Sequence, residues 1–103
     1  MSDVQTRPVT FAAAVIARPK MYTLNGTFGE VISFLEGYMS GIAKGNCDAP
    51  PLIEWNDFEE WLTSILGVRG RDAFQRIQDS HADNCEQLKA LADLYDRFQS
   101  DRI

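Results

Sequence analysis

From Gly45 to Val68 the chain carries no lysine, arginine or histidine. The same stretch holds Asp48, Glu54, Asp57, Glu59 and Glu60. Elsewhere acids and bases cancel, so the whole net charge of -5 sits in this one block. Phosphate binding needs a basic stripe, so direct nucleic-acid binding is not expected. An anionic membrane surface is excluded on the same ground. Histidine is nearly absent too: His81 is the only one, and the two cysteines, Cys47 and Cys85, lie far apart with no CxxC spacing. A zinc site needs three or four suitably spaced ligands, so neither a metal nor a cofactor is expected. In a reducing compartment Cys47 and Cys85 read as free thiols.

Long apolar runs are missing as well. Phe11 to Ala17 is apolar but short, and Arg18-Pro19 closes it. No basic segment followed by an apolar core opens the chain, so neither a signal peptide nor a membrane span is predicted. The expected location is cytoplasmic. There is no sustained apolar/polar alternation, no β-branched run, no internal repeat, and no P-loop, GxGxxG or EF-hand pattern. What remains is 103 residues, 45% hydrophobic and 24% charged. These are the proportions of one soluble globular domain spanning residues 1–103.

Helical signals run through that domain. Pro8 suits a first helical turn, and Phe11 to Ala17 continues it until Pro19 pushes Arg18 out of the helical region. Lys20 to Gly26 reads as a connector with an Asn25-Gly26 turn. Thr27 and Glu30 form a capping box, after which Phe28, Val31, Ile32, Leu35, Tyr38, Met39 and Ile42 recur at helical steps. Gly37 and Gly41 inside that helix suggest close helix–helix approach or a weak C-terminal half, and Gly45-Asn46 is a stop. Pro50-Pro51 predicts an extended loop over Asn46–Ile53. Asn56 or Asp57 then caps a helix with Phe58, Trp61, Leu62, Ile65 and Leu66 inward, ended by Gly67. Gly70 to Asp79 forms another short helix with Phe74 and Ile77 inward. Ser80 to Asp83 restarts the chain into a last helix with Asn84, Leu88, Leu91, Tyr95 and Phe98 on one stripe. One continuous helix from Arg71 to Gln99 is the alternative, but His81 and Asp83 are poor helix formers and favour the break. The fold class is all-α: four to five helices packed as a bundle or orthogonal array.

Catalytic chemistry finds little support. His81 and Cys85 stand four apart on one amphipathic helix, which supplies no oxyanion hole, and Cys85 reads as a small core thiol. Glu59 and Glu60 are adjacent and point about 100° apart on a helix. Asp57, Glu59 and Glu60 in a first turn would also complement the helix dipole. That accounts for some of the acids but not for the missing bases. No enzyme is expected. The charge block beside two tryptophans reads instead as a docking surface for a basic protein. Its residues are Asp48, Glu54, Trp55, Asp57, Glu59 and Glu60. Trp55 lies outside the inward stripe and is the expected anchor; Trp61 is expected in the core.

Ala17-Arg18-Pro19-Lys20-Met21-Tyr22 and Phe34-Leu35-Glu36-Gly37-Tyr38 carry a resemblance, echoed by Phe58-Glu59-Glu60-Trp61-Leu62. They resemble an Arg-Pro-x-Met-Tyr element and a Phe-Leu-x-Gly-Tyr helix found in small bacterial immunity proteins of toxin–immunity systems, including contact-dependent growth inhibition. The match covers about a quarter of the chain. The resemblance implies a protein that binds and neutralises a cognate secreted toxin domain, often a nuclease with a basic cleft. The Arg-Pro-x-Met-Tyr string also resembles the opening of type II topoisomerase ATPase domains. However, Lys20 replaces their glycine, Thr23-Leu24 replaces Ile-Gly, and no Asp-x-Gly-x-Gly loop follows. Read physically, the motif needs no ligand: Pro19 stops a helix, and Met21 and Tyr22 dock on the core. The alternative function is a helical adaptor or homo-oligomer, self-associating through the Gly37/Gly41 face or the last helix.

Overall fold

A computed structural model describes residues 10–69 and 71–102. Among the described residues the structure is all helix and turn, with no strand. The expected all-α class holds, with six helices where four to five were expected. Pro8, read as part of a first turn, lies outside the described residues, as does Gly70, the expected start of the fourth helix.

The first helix, α1 (Phe11–Ala17), begins at Thr10, whose side chain accepts from the Ala13 N–H at 3.2 Å. Pro19 ends it and at once opens a single extra turn, α2 (Pro19–Tyr22), with proline in the first turn where no N–H is missed. This turn is the added helix. Tyr22 packs edge-on against Phe11, 5.8 Å between ring centroids, as the motif's docking role requires. Met21 departs from that expectation: it is 68% exposed, and its sulfur meets the Arg18 guanidinium.

Helix α3 (Phe28–Gly45) has the expected capping box: Thr27 Oγ1 accepts from the Glu30 N–H, and Glu30 accepts from the Thr27 N–H at 3.1 Å. These bonds satisfy otherwise orphaned donors. They also hold the Glu30 carboxyl below its usual range, the Thr27 backbone bond first among the causes. Gly37 and Gly41 serve no close approach, since a Cβ added at either would meet nothing within 4 Å.

The largest departure from the sequence reading is helix α4 (Pro50–Leu66), which starts at Pro50 and not near Asn56. Both prolines occupy its first turn. The N–H groups they lack would have had no intrahelical partner there. Starting early places Leu52, Trp55, Phe58 and Leu62 on one stripe, all four buried. Asn56 and Asp57 are therefore helix-interior residues, and the first turn carries no acid. Gly67 caps the far end in the left-handed region, φ 76°.

Helices α5 (Arg71–Asp79) and α6 (Asn84–Arg102) are separate, as the poor helix formers between them predict. The His81 ring, Nδ1 2.8 Å from the Ile77 carbonyl oxygen, engages the end of α5. Asn84 is not an inward residue: its side chain accepts from the Phe28 N–H at 2.6 Å and donates to the Gly26 carbonyl at 3.2 Å, so α6 caps the start of α3. Cys85, expected as a core thiol, is exposed, as is Cys47.

Helix α1 touches α3, α4 and α6 at once. Its Val15 and Ile16 meet a core built from Val31, Leu35, Phe58, Leu62, Leu91 and Phe98, all buried. No helix among the described residues is long and apolar enough to cross a membrane.

Candidate functional site

The six residues expected to form one docking surface point in several directions. Asp48 stands exposed in the connection 46–49, where its N–H bonds to Asn46 Oδ1 at 3.0 Å. Successive side chains on a helix turn by about 100°, so the four acids of α4 divide around it. Glu54 faces α6 and accepts the hydroxyl hydrogen of buried Tyr95. Glu59 faces α3. Asp57, half-buried, and Glu60, exposed, lie on the outer side.

Trp55 contradicts its expected role as anchor. It is 2% exposed, stacked on Phe74 with 5.7 Å between ring centroids and 5° between planes. Early initiation of α4 carries it onto the buried stripe. Trp61, expected in the core, sits half-buried at the margin instead. Its Nε1 donates to Asp101 at 3.0 Å, and the Arg97 guanidinium lies 5.8 Å over its ring. The two tryptophans have exchanged expected places.

The structure supplies two features in return. The first is the outer stripe of α4, where Ile53, Asp57, Glu60 and Ser64 follow one another at helical steps. Ile53 is 43% exposed there, and α4 itself contains no basic residue.

The second is a groove of about 470 Å³ between α3 and α4. Glu36 and Ser40 line one side, Asn56 and Glu59 the other, and Cys47 lies at the connection. Its floor is the buried trio Met39, Leu52 and Trp55. Glu36 and Glu59 line opposite walls of it. Burial pushes the Glu59 carboxyl up to about 7, and the neighbouring Glu36 carboxyl adds to this. On its other side Glu36 meets Arg71 of α5, Oε1 to Nε 3.7 Å.

Glu36 was absent from the sequence-based set. The signal that could have found it is positional. Glu36 and Glu59 stand equally far from the middle of the connection 46–49, and positions symmetric about a short helix–helix connection tend to face one another. Using it requires knowing that α4 begins at Pro50.

Among the described residues no group of three or more His, Cys, Asp or Glu side chains is placed to hold a metal. The His81 ring is held against the Ile77 carbonyl, and Cys85 stands exposed. The chain matches no protein-family model, no curated protein and no solved structure.

Proposed function

We propose that this chain is a small binding protein of the immunity type, which neutralises a cognate toxin domain by covering a basic surface on it. The observation that carries the reading is the outer face of α4. It presents Asp57 and Glu60 beside exposed Ile53, with exposed Asp48 at the neighbouring connection and no cation in the same stretch. A one-signed surface steers a cationic partner and raises its association rate. Exposed Ile53 supplies the apolar contact that charge alone lacks. Trp55, buried as it is, takes no part; Glu54 is bonded to Tyr95, and Glu59 belongs to the groove. The resemblance carried by residues 17–38 supports the same reading.

The test is to identify the gene next to this one and, where it encodes a large secreted protein, to titrate this chain against that protein's C-terminal domain. Tight binding is expected, weakening with salt as exposed charges are screened. Replacing the two exposed acids, Asp48→Lys with Glu60→Lys, should slow association while the helical content stays unchanged. Binding that ignores both salt and the double replacement would remove the acidic face from the interface; failure of the pair to associate at all would remove the function. The adaptor reading makes a different demand: sedimentation as a dimer, reduced by a bulky residue at Gly41 on the open face of α3.

A further inference from the structure

We propose that the corner around α2 is a second docking surface, basic and apolar, and that its occupant is the acidic outer face of α4 on another copy of this chain. Met21 and Leu24 are the most exposed large apolar side chains among the described residues, at 68% and 88%. The backbone that carries them is tied down. Thr23 Oγ1 donates to the Pro19 carbonyl and accepts from the Gly26 N–H, both at 2.9 Å. Glu30 accepts from the Asn25 and Thr27 N–H groups, and Asn84 of α6 donates to the Gly26 carbonyl. The corner is thus shaped before any partner arrives, which lowers the ordering cost of binding. Arg18 and Lys20 flank the apolar pair and are exposed. Arg18 meets only the Met21 sulfur, and neither cation forms an ion pair among the described residues. A groove of about 560 Å³ runs from this corner to Leu88 of α6, with no acid among the described residues that line it.

The complement lies on the same chain. The outer stripe of α4 sets exposed Ile53 beside exposed Glu60, with exposed Asp48 at the neighbouring connection. An amphipathic helix laid on an apolar ridge between opposite charges is a recurring mode of recognition. Met21, Leu24 and Ile53 supply the apolar contact, and Arg18 and Lys20 against Asp48 and Glu60 set the orientation. The two surfaces are unlike, so copies meet head to tail. A pair closes only if the contact is made twice across a two-fold axis; otherwise the assembly grows with concentration. The inference rests on the α4 face assigned above to the toxin, which would displace the second copy.

The test is sedimentation of the chain alone, without toxin, up to about 1 mM. The expected mass exceeds 11.6 kDa and rises with concentration. Association should weaken by about tenfold or more from about 0.02 M to about 0.5 M sodium chloride. Arg18→Glu with Lys20→Glu, and separately Asp48→Lys with Glu60→Lys, should each be monomeric at unchanged helical content. Mixed in equal amounts they should associate, because the intact acidic face of the first meets the intact basic corner of the second. A wild-type chain that stays monomeric at low salt overturns the proposal, and this measurement needs no variant. So does an assembly that survives Arg18→Glu with Lys20→Glu, or a mixture that stays monomeric. A monomeric chain that still binds the toxin domain removes this inference and leaves the proposed function; self-association without toxin binding does the reverse.

Discussion

Tyr95 of α6 donates its hydroxyl hydrogen to Glu54 of α4, and the same hydroxyl lies 3.3 Å from Thr10 Oγ1 at the start of α1. One polar contact thereby ties three helices at the edge of the core. Tyr95 is only 2% exposed, and its ring meets Phe58 edge-on at 4.7 Å. Tyr95→Phe keeps the ring and leaves the half-buried Glu54 carboxylate without that donor. Such a loss costs about 1–3 kcal/mol, read as a lower urea midpoint with unchanged slope. An unchanged midpoint would mean that water replaces the hydroxyl without penalty.

The exchanged tryptophans give the sharpest contrast. Trp55 is enclosed by Phe58 and Phe74, so Trp55→Ala should cost about 3–5 kcal/mol. That is a large part of the roughly 5–10 kcal/mol available to a domain of this size. Trp61→Phe, at the margin, loses the Asp101 hydrogen bond and should cost about 1 kcal/mol. Thermal melts of the two variants rank them. A milder effect at Trp55 than at Trp61 would contradict the start of α4 at Pro50.

That start marks where local reading failed. The Thr27–Glu30 capping box, the Gly67 cap and the break after Asp79 were legible because each rests on neighbours in the chain. Pro50-Pro51 also sent a local signal, toward an extended loop, and burial of Leu52 and Trp55 outweighed it. Moving the helix start re-aimed every acid behind it: Glu54 went to Tyr95, Glu59 to Glu36, and the expected single surface was divided. Glu36 belongs to a pairing between helices, which periodicity within one helix does not reveal. Likewise Cys85 borders an apolar stripe in sequence, yet its stretch of α6 stays exposed.

Gly37 and Gly41 supply a gain-of-stability test. Both are in the interior of α3, exposed, with open space where a Cβ would stand. Alanine there should stabilise by about 0.5–1 kcal/mol each, through lower unfolded-state entropy and better helix propensity. The two effects should add, and calorimetry should show a raised midpoint in the double variant. A loss of stability would mean that the face is occupied in solution, as a self-associating protein would require.

Asn84 joins the ends of two helices distant in sequence. Asn84→Ala removes the acceptor from Phe28 N–H and the donor to Gly26 carbonyl, at a cost of about 1–2 kcal/mol. Asn84→Asp keeps the acceptor and should recover part of it. Gly26→Ala strikes the same corner from the other side. Its φ is 68°, and an added Cβ would lie 2.7 Å from Lys20 Cγ, so it destabilises even though the Lys20 side chain can shift.

Two carboxyls tilt stability in opposite directions with pH. Glu59 is raised from 4.5 to about 7. The folded chain therefore holds a proton through a range where the unfolded chain has released it. Stability from this group is full below 4.5 and falls as pH rises to about 7. The full shift would amount to roughly 3 kcal/mol, but Glu59 is half-exposed, and solvent screening reduces the expected change to about 1 kcal/mol. Glu30 is shifted the other way by the capping box, so its contribution is present above its ordinary range and lost as pH falls through the lowered value. Urea denaturation across this range should therefore show a decline toward neutral pH that Glu59→Gln removes. Glu30→Gln should instead remove part of the loss on the acid side. If both variants followed the wild-type profile, neither carboxyl would carry its assigned role.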